Sequence, residues 1–301
     1  MRLIGDGGVE LAIDKAIERI TRAIAEQRCV LFLGAGIHAP PPEESVFEYP
    51  DEQRPPSGGA LSRMLAEECG WHGRFPSEDP SNLQRVSLFF ERSQGRDNLV
   101  RAVREAVHVG KRPSPLLGAL AELGFPLVIT TNYDQLFEDA LTIAGRKPRV
   151  SVYTPRLEKT KTFRDPSPED PVVYKIHGDI QEAESIVITD ENYIDFLMRM
   201  NDKDPYAPVP MSLKSRLSEW TTLFVGYSLL DYNLRLLFKT LRWQIDDPPM
   251  MYSVDYPPDE LIVDVWDNQL GYVKFIVQDA WSVVGVLYER VLGRELAPSP
   301  R

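Results

Sequence analysis

The chain has 301 residues, 43% hydrophobic and 26% charged, a balance that excludes collagen-like, disordered and membrane-spanning classes and suits one large α/β unit or two small ones. Forty-five acidic against 34 basic side chains give a formal net charge of −11. That charge opposes polyanion binding by counterion release, so nucleic acid is not expected as the primary ligand. Cys29 and Cys69, the only two cysteines, cannot make a four-thiolate zinc site or a disulfide scaffold and read as buried or half-buried thiols of a reducing compartment. Asp6, Glu10 and Asp14 stand where a signal peptide needs basic then apolar residues, and no apolar run of about 18 residues follows. A cytoplasmic protein without membrane contact is expected.

In chain order, Ile13, Ile17, Ile20 and Ile24 recur at helical spacing and predict an amphipathic helix over Glu10 to Gln27. Cys29 to Leu33 reads as a buried parallel strand that ends at Gly34-Ala35-Gly36. Residues 37–59 hold Pro40, Pro41, Pro42, Pro50, Pro55 and Pro56 and predict a long loop of the kind that forms lids. Helices are predicted over Ala60 to Cys69 and across Ser81 to Val109, broken near Gly95, so that 37–113 forms a lid loop and helical subdomain inserted in a single unit spanning 1–301. Strand and helix then alternate. A helix at Pro115 to Leu123 leads to a strand at Phe125 to Thr130 and a helix at Asn132 to Leu141. Strands at Val172 to Ile176 and Ser185 to Thr189 precede a helix from Tyr193 to Met200. A strand at Thr221 to Val225, a helix at Tyr232 to Trp243, strands near Met250 to Val254 and at Val273 to Val277, and a final helix complete the order. The repetition predicts an α/β fold with a doubly wound, mostly parallel sheet.

In such a sheet the ligand lies beyond the carboxyl ends of the strands, so the residues after each strand carry the candidate chemistry. Gly34-Ala35-Gly36 fits either a tight turn or a loop whose small residues let a pyrophosphate reach backbone N–H groups. Thr130-Thr131-Asn132-Tyr133-Asp134 holds more polar groups than one helix cap requires, although Asn132 or Asp134 also qualifies as a cap. His177-Gly178 offers an imidazole able to take a proton near neutral pH, with space beside it at Gly178, or else a satisfied core histidine. Lys175 reads as an edge or interface charge. Gly226-Tyr227-Ser228, before Asp231, supplies a hydroxyl for a phosphate or ribose, or an ordinary helix start. A Walker loop at Gly110-Lys111 is excluded because Glu105 stands where its first glycine belongs, and a nucleophile elbow at Ser228 because Leu230 replaces the closing glycine. His38, His72, His108 and His177 form no sequence-local metal pair, and no metal is expected.

The order and spacing of Gly34-Ala35-Gly36, Thr130 to Asp134, His177-Gly178 and Gly226-Tyr227-Ser228 resemble the motifs of the bacterial sirtuin-like family, and the resemblance covers most of residues 10–280. It implies a Rossmann-like, NAD-binding fold and cleavage of the nicotinamide–ribose bond; many prokaryotic members look like NAD-depleting effectors of antiphage defence. Carried over by position, Asn132 would orient the nicotinamide ribose or the attacking water, Asp134 would support the pocket and His177 would be the general base. Gly34, Ala35, Gly36, Thr131, Gly226 and Ser228 would contact the dinucleotide. Two cysteines cannot build the zinc ribbon of deacylase-type members, so water is the expected acceptor. His38 stands where the family usually has serine. An NAD+ hydrolase is therefore expected first, a protein deacylase or ADP-ribosyltransferase second, and a non-catalytic NAD or ADP-ribose-binding regulatory subunit third. With few residues outside the motif-bearing region, regulation is expected from homo-oligomerisation or a separate activating subunit of ATPase or nuclease type.

Overall fold

A computed structural model describes residues 6–154, 165–199, 209–230, 235, 236, 238, 249–266 and 273–297. Seven strands form one sheet in the order β3-β4-β2-β1-β5-β6-β7. They are β1 (Cys29–Leu33), β2 (Leu127–Thr130), β3 (Arg149–Val152), β4 (Val172–Lys175), β5 (Thr221–Val225), β6 (Met251–Val254) and β7 (Val273–Ile276). Every neighbouring pair is parallel, with Leu31 opposite both Val128 and Leu223.

All five β1 residues are buried, which explains their continuous apolar run: parallel strands covered on both faces have no polar side to show. Leu31 and Leu33 face one layer, where Ile17, Ile20 and Ile24 of α1 (Asp6–Ala25) meet Leu117 and Leu120 of α6 (Pro115–Glu122) and Val284 and Leu287 of the helix Ala280–Leu292. Val30 and Phe32 face the other, against Phe196 of α8 (Asp190–Arg199), Leu213 and Leu217 of α9 (Met211–Glu219), Phe224 and Trp266. The period-two alternation of a strand thus divides a uniformly apolar segment between two cores.

Between β1 and α6, the helices α2 (Gly58–Cys69), α3 (Trp71–Arg74), α4 (Leu83–Gln94) and α5 (Arg96–Val107) form a third cluster around Trp71, Phe90, Leu99 and Val103. Ser57 caps α2, Asn82 caps α4 and Ser114 caps α6, each accepting a backbone N–H three residues on. The proline-rich segment before α2 is pinned: the Tyr49 hydroxyl donates to the Arg112 carbonyl at 2.9 Å, Arg112 N–H donates to the Gln53 carbonyl at 3.1 Å, and Phe47 packs on Trp281 with ring centroids 5.5 Å apart.

Several sequence expectations shift. No strand forms at Ser185 to Thr189; a short turn at Ala183–Ser185 leads into a segment outside the sheet whose Ile186 and Ile188 enter the helical subdomain while Val187 enters the sheet core. Its alternation comes from sitting between two cores, a situation that imitates a strand. The edge strand β3 and helix α9 were not predicted; β3 is only half-buried along its length, so it lacks the apolar signal. The helix expected from Asn132 begins at Leu136 instead, because residues 132–135 form a turn. The helix predicted at Tyr232 to Trp243, and Asp231, lie almost wholly outside the described residues.

The turns after β1 and β5 touch. Gly36 N–H donates to the Gly226 carbonyl at 2.8 Å and Gly34 N–H to the Val225 carbonyl at 3.2 Å. Gly226 has φ +68°, and a Cβ there would lie 2.1 Å from the Ile37 nitrogen. Gly226→Ala should therefore lower the unfolding free energy by at least about 2 kcal/mol, seen as a lower urea midpoint at unchanged slope.

Candidate active site

The chain leaves β1 toward β2 and leaves β5 toward β6, so the loops after these two central strands diverge and a crevice opens at their carboxyl ends, where ligands of doubly wound sheets bind. A cleft of about 980 Å³ occupies that position. Ala35, Gly36, Thr131, Asn132, Asp134, His177, Gly226 and Ser228 all line it. Gly34 lies just beneath, its space taken by the Gly226 carbonyl and the Tyr227 ring. Pro40, Pro41, Pro42, Pro55 and Pro56 form one wall, and Asp255, Gln278 and Trp281, after β6 and β7, close the far end.

The turn after β2 carries the densest polar constellation. Thr130 Oγ1 donates to the Leu33 carbonyl at 3.2 Å and accepts Asn132 N–H at 3.0 Å, fixing the start of the turn to β1. Asn132 Nδ2 lies 3.4 Å from the Gly34 carbonyl and 3.3 Å from His38 Nε2, while Asn132 Oδ1 is buried with no hydrogen-bond partner among the described residues. A buried acceptor without a partner is costly in an empty core and useful in a ligand site. Neither Asn132 nor Asp134 is the helix N-cap, which is Gln135; Asp134 Oδ1 instead accepts Leu136 N–H at 3.0 Å from one residue further back, and Oδ2 lies 3.3 Å from His38 Nε2. Burial would raise its carboxyl, but the charge and hydrogen bond of His38, the ammonium of Lys175 and the Leu136 N–H outweigh that and hold it below the usual carboxylate range.

His177, 2% exposed, follows β4. Its ring sits edge-on to Tyr193 and Phe196 at centroid separations of 5.2 and 5.7 Å, with the Tyr193 hydroxyl 3.5 Å from Nδ1. Gly178 does not leave room for a ligand. It has φ +93°, and a Cβ there would meet the Ser185 carbonyl oxygen at 2.2 Å, so the space is filled by backbone.

Lys175 is no edge charge: β4 has neighbours on both sides and the side chain is 0% exposed. Its ammonium lies 2.8 Å from Asp179 Oδ2 and 3.2 Å from Glu138 Oε1. Burial would lower its pKa, yet the carboxylates of Glu138, Asp179 and Asp134 raise it on balance, while burial raises that of Glu138. Sequence reading missed this cluster and the contacts of His38, since a helix, a strand and two turns contribute and no local spacing signals them. A lysine inside a four-residue apolar strand was the available sign. Among the described residues, no group of three or more His, Cys, Asp or Glu is placed to hold a metal ion, and no helix is long and apolar enough to cross a membrane.

An amide, a carboxylate and two imidazoles thus line the switch-point cleft of a Rossmann-like α/β fold, the place where such folds bind their ligands. Residues 126–271 match the family model of the SIR2-like domain. The chain is 35% identical over 257 residues to a protein named NAD(+) hydrolase ThsA from Bacillus cereus (strain MSX-D12), covering 84% of this chain and 49% of that one. Another protein of that name, from Acinetobacter baumannii (strain 532279), is 25% identical over 294 residues, or 92% of this chain and 56% of the relative. Defense-associated sirtuin 2 of Bacillus subtilis is 22% identical over 231 residues, 76% of this chain and 20% of that protein. The chain thus spans about half the length of the NAD(+) hydrolases it resembles.

The ionised Asp134 carboxylate adds stability wherever the unfolded-state group, with its pKa near about 3.9, is also ionised, and that contribution is lost as the pH falls through the depressed folded value. Asp134→Asn should therefore be less stable than wild type at neutral pH, with the gap narrowing below about pH 4. Denaturant midpoints measured from about pH 2 to pH 7 test this.

Proposed function

We propose that this chain is an NAD+ hydrolase that cleaves the nicotinamide–ribose bond to give nicotinamide and ADP-ribose, and that it serves as an NAD-depleting effector of prokaryotic antiphage defence. The observation that carries the reading is that Asn132 and Asp134, from the turn after β2, and His177, from the turn after β4, line one cleft with the β1 and β5 turns in a chain whose residues 126–271 match the SIR2-like domain. The relatives named NAD(+) hydrolase supply the reaction class.

Breaking this bond develops an oxocarbenium-like ribose, so the site must supply negative charge or dipoles beside the sugar and a base for the attacking water. In this reading the buried Asn132 Oδ1 accepts from a ribose hydroxyl or from the water. Asp134, kept ionised by its surroundings, steadies the developing positive charge and holds His38. His177 takes the proton from the water as it attacks the anomeric carbon. A cleft of about 980 Å³ stands at the upper end of small-molecule sites, in keeping with a dinucleotide.

The N–H groups of Gly34 and Gly36 are already bonded to the β5 turn. We therefore assign Gly34, Gly36 and Gly226 to shaping the floor, and Ala35, Thr131 and Ser228 to contacting the phosphates or the adenosine side. The segment 37–113 acts as lid and wall of the same unit. The active form is a homo-oligomer or a complex with a separate activating subunit.

Purified full-length chain incubated with NAD should release nicotinamide and ADP-ribose in equal amounts. Asn132→Ala and His177→Ala should each lower kcat by about 10² to 10⁴ while ADP-ribose still binds by calorimetry. Turnover that requires an acylated or other acceptor macromolecule would favour the transferase reading instead, and ADP-ribose binding with no turnover under any activating condition would favour a sensor.

A further inference from the structure

We propose that Lys175 is a positioning residue of the reaction: its buried ammonium clamps the turn that carries Asn132 and Asp134 to the turn that carries His177. This rests on the NAD+ hydrolase reading for its assay, but its geometry stands apart from that reading. An ammonium has three N–H donors, and Lys175 Nζ has three strong acceptors: the Tyr133 carbonyl at 3.2 Å, the Asp134 carbonyl, and Asp179 Oδ2 at 2.8 Å. Two of these belong to the Asn132 turn. The third lies two residues beyond His177. Glu138 adds a fourth oxygen at 3.2 Å as a neighbouring charge.

The clamp is reinforced from both sides. Ile180 N–H donates to the Tyr133 carbonyl at 3.0 Å, Asp179 Oδ1 accepts Gln181 N–H at 2.7 Å, and the Tyr133 hydroxyl donates to the Val187 carbonyl at 2.8 Å. One cation therefore fixes the distance between the carboxamide and the imidazole, although they come from different turns. A buried ammonium is an expensive way to join two loops if stability were the only purpose, since apolar replacements of buried ion clusters are often neutral or stabilising. Its particular property is that it holds main-chain carbonyls and a carboxylate at once, at fixed separations. Displacing reacting groups by about 1 Å commonly lowers the rate about 10²-fold.

The test compares Glu138→Gln, Lys175→Met/Glu138→Gln and Asp179→Asn in the full-length chain. Glu138→Gln leaves the three hydrogen bonds of Lys175 in place and should keep kcat within about threefold of wild type. The double variant removes the cation together with the charge it would strand at residue 138; it should lower kcat about 10²-fold, with KM and ADP-ribose affinity within about threefold. Asp179→Asn, isosteric and still able to accept from Gln181 N–H, weakens only the far end of the clamp and should lower kcat about tenfold with KM unchanged. All rates are measured well below each variant's Tm. Wild-type kcat in the folded double variant, or in Asp179→Asn, overturns the proposal, as does a fall in rate that merely tracks loss of folded protein. A wild type that cleaves no NAD would instead sink the functional reading, so the two failures are distinguishable.

Discussion

The close approach of two glycine turns governs the arrangement of the cleft. β1 and β5 are hydrogen-bonded neighbours at the centre of the sheet, and their following turns can meet only because no Cβ intervenes: at Gly34 it would fall 2.5 Å from the Gly226 carbonyl oxygen, and at Gly36 2.9 Å from the same atom. The meeting seals the floor between the strands. It also orients the Gly34 carbonyl toward Asn132 Nδ2 at 3.4 Å and brings His38, at the end of the short helical turn Ala35–His38, to the Asn132 and Asp134 side chains. The N–H groups of Gly34 and Gly36 are taken up by this meeting, so what these glycines give the cleft is the shape of its floor.

From that floor the charges are layered. His38 and Asp134 lie at the cleft, and Lys175 with Glu138 and Asp179 lies behind them. A chain of net charge −11 buries carboxylates here only because an interior cation accompanies them, since unpaired buried charge is penalised by desolvation. The pairing has a directional result: Asp134 is held ionised while Glu138 is pushed toward its neutral form. Two carboxyls four residues apart thereby acquire opposite tendencies, decided by which of them also meets His38.

The sheet was largely legible in the sequence because its central strands are apolar runs bounded by glycine or polar turns; Cys29–Leu33 and Thr221–Val225 form as read. β3 was not legible, being half-buried at the edge, and the extended stretch after Ser185 was misread because burial on alternate sides gives the same period with or without a ladder. Among the site residues, position after a strand singled out Asn132, Asp134, His177 and Ser228, since topology places such residues at one edge of the sheet. What position cannot express is contact between turns. Gly178 reads as an opening and is instead packed against Ser185; Lys175 reads as an edge or interface charge and is fully buried inside the sheet.

The two imidazoles show why such contacts matter for assigning roles. His38 Nε2 lies 3.3 Å from Asp134 Oδ2 and 3.3 Å from Asn132 Nδ2, donating to the carboxylate when protonated and accepting from the amide when not, so in either state its ring packs with the turn that carries both. His177 lines the same cleft against aromatic edges, with the Tyr193 hydroxyl at 3.5 Å from Nδ1. In the proposed hydrolysis proton transfer therefore falls to His177, and His38, held within reach of both Asp134 and Asn132, serves the geometry of the turn that carries them.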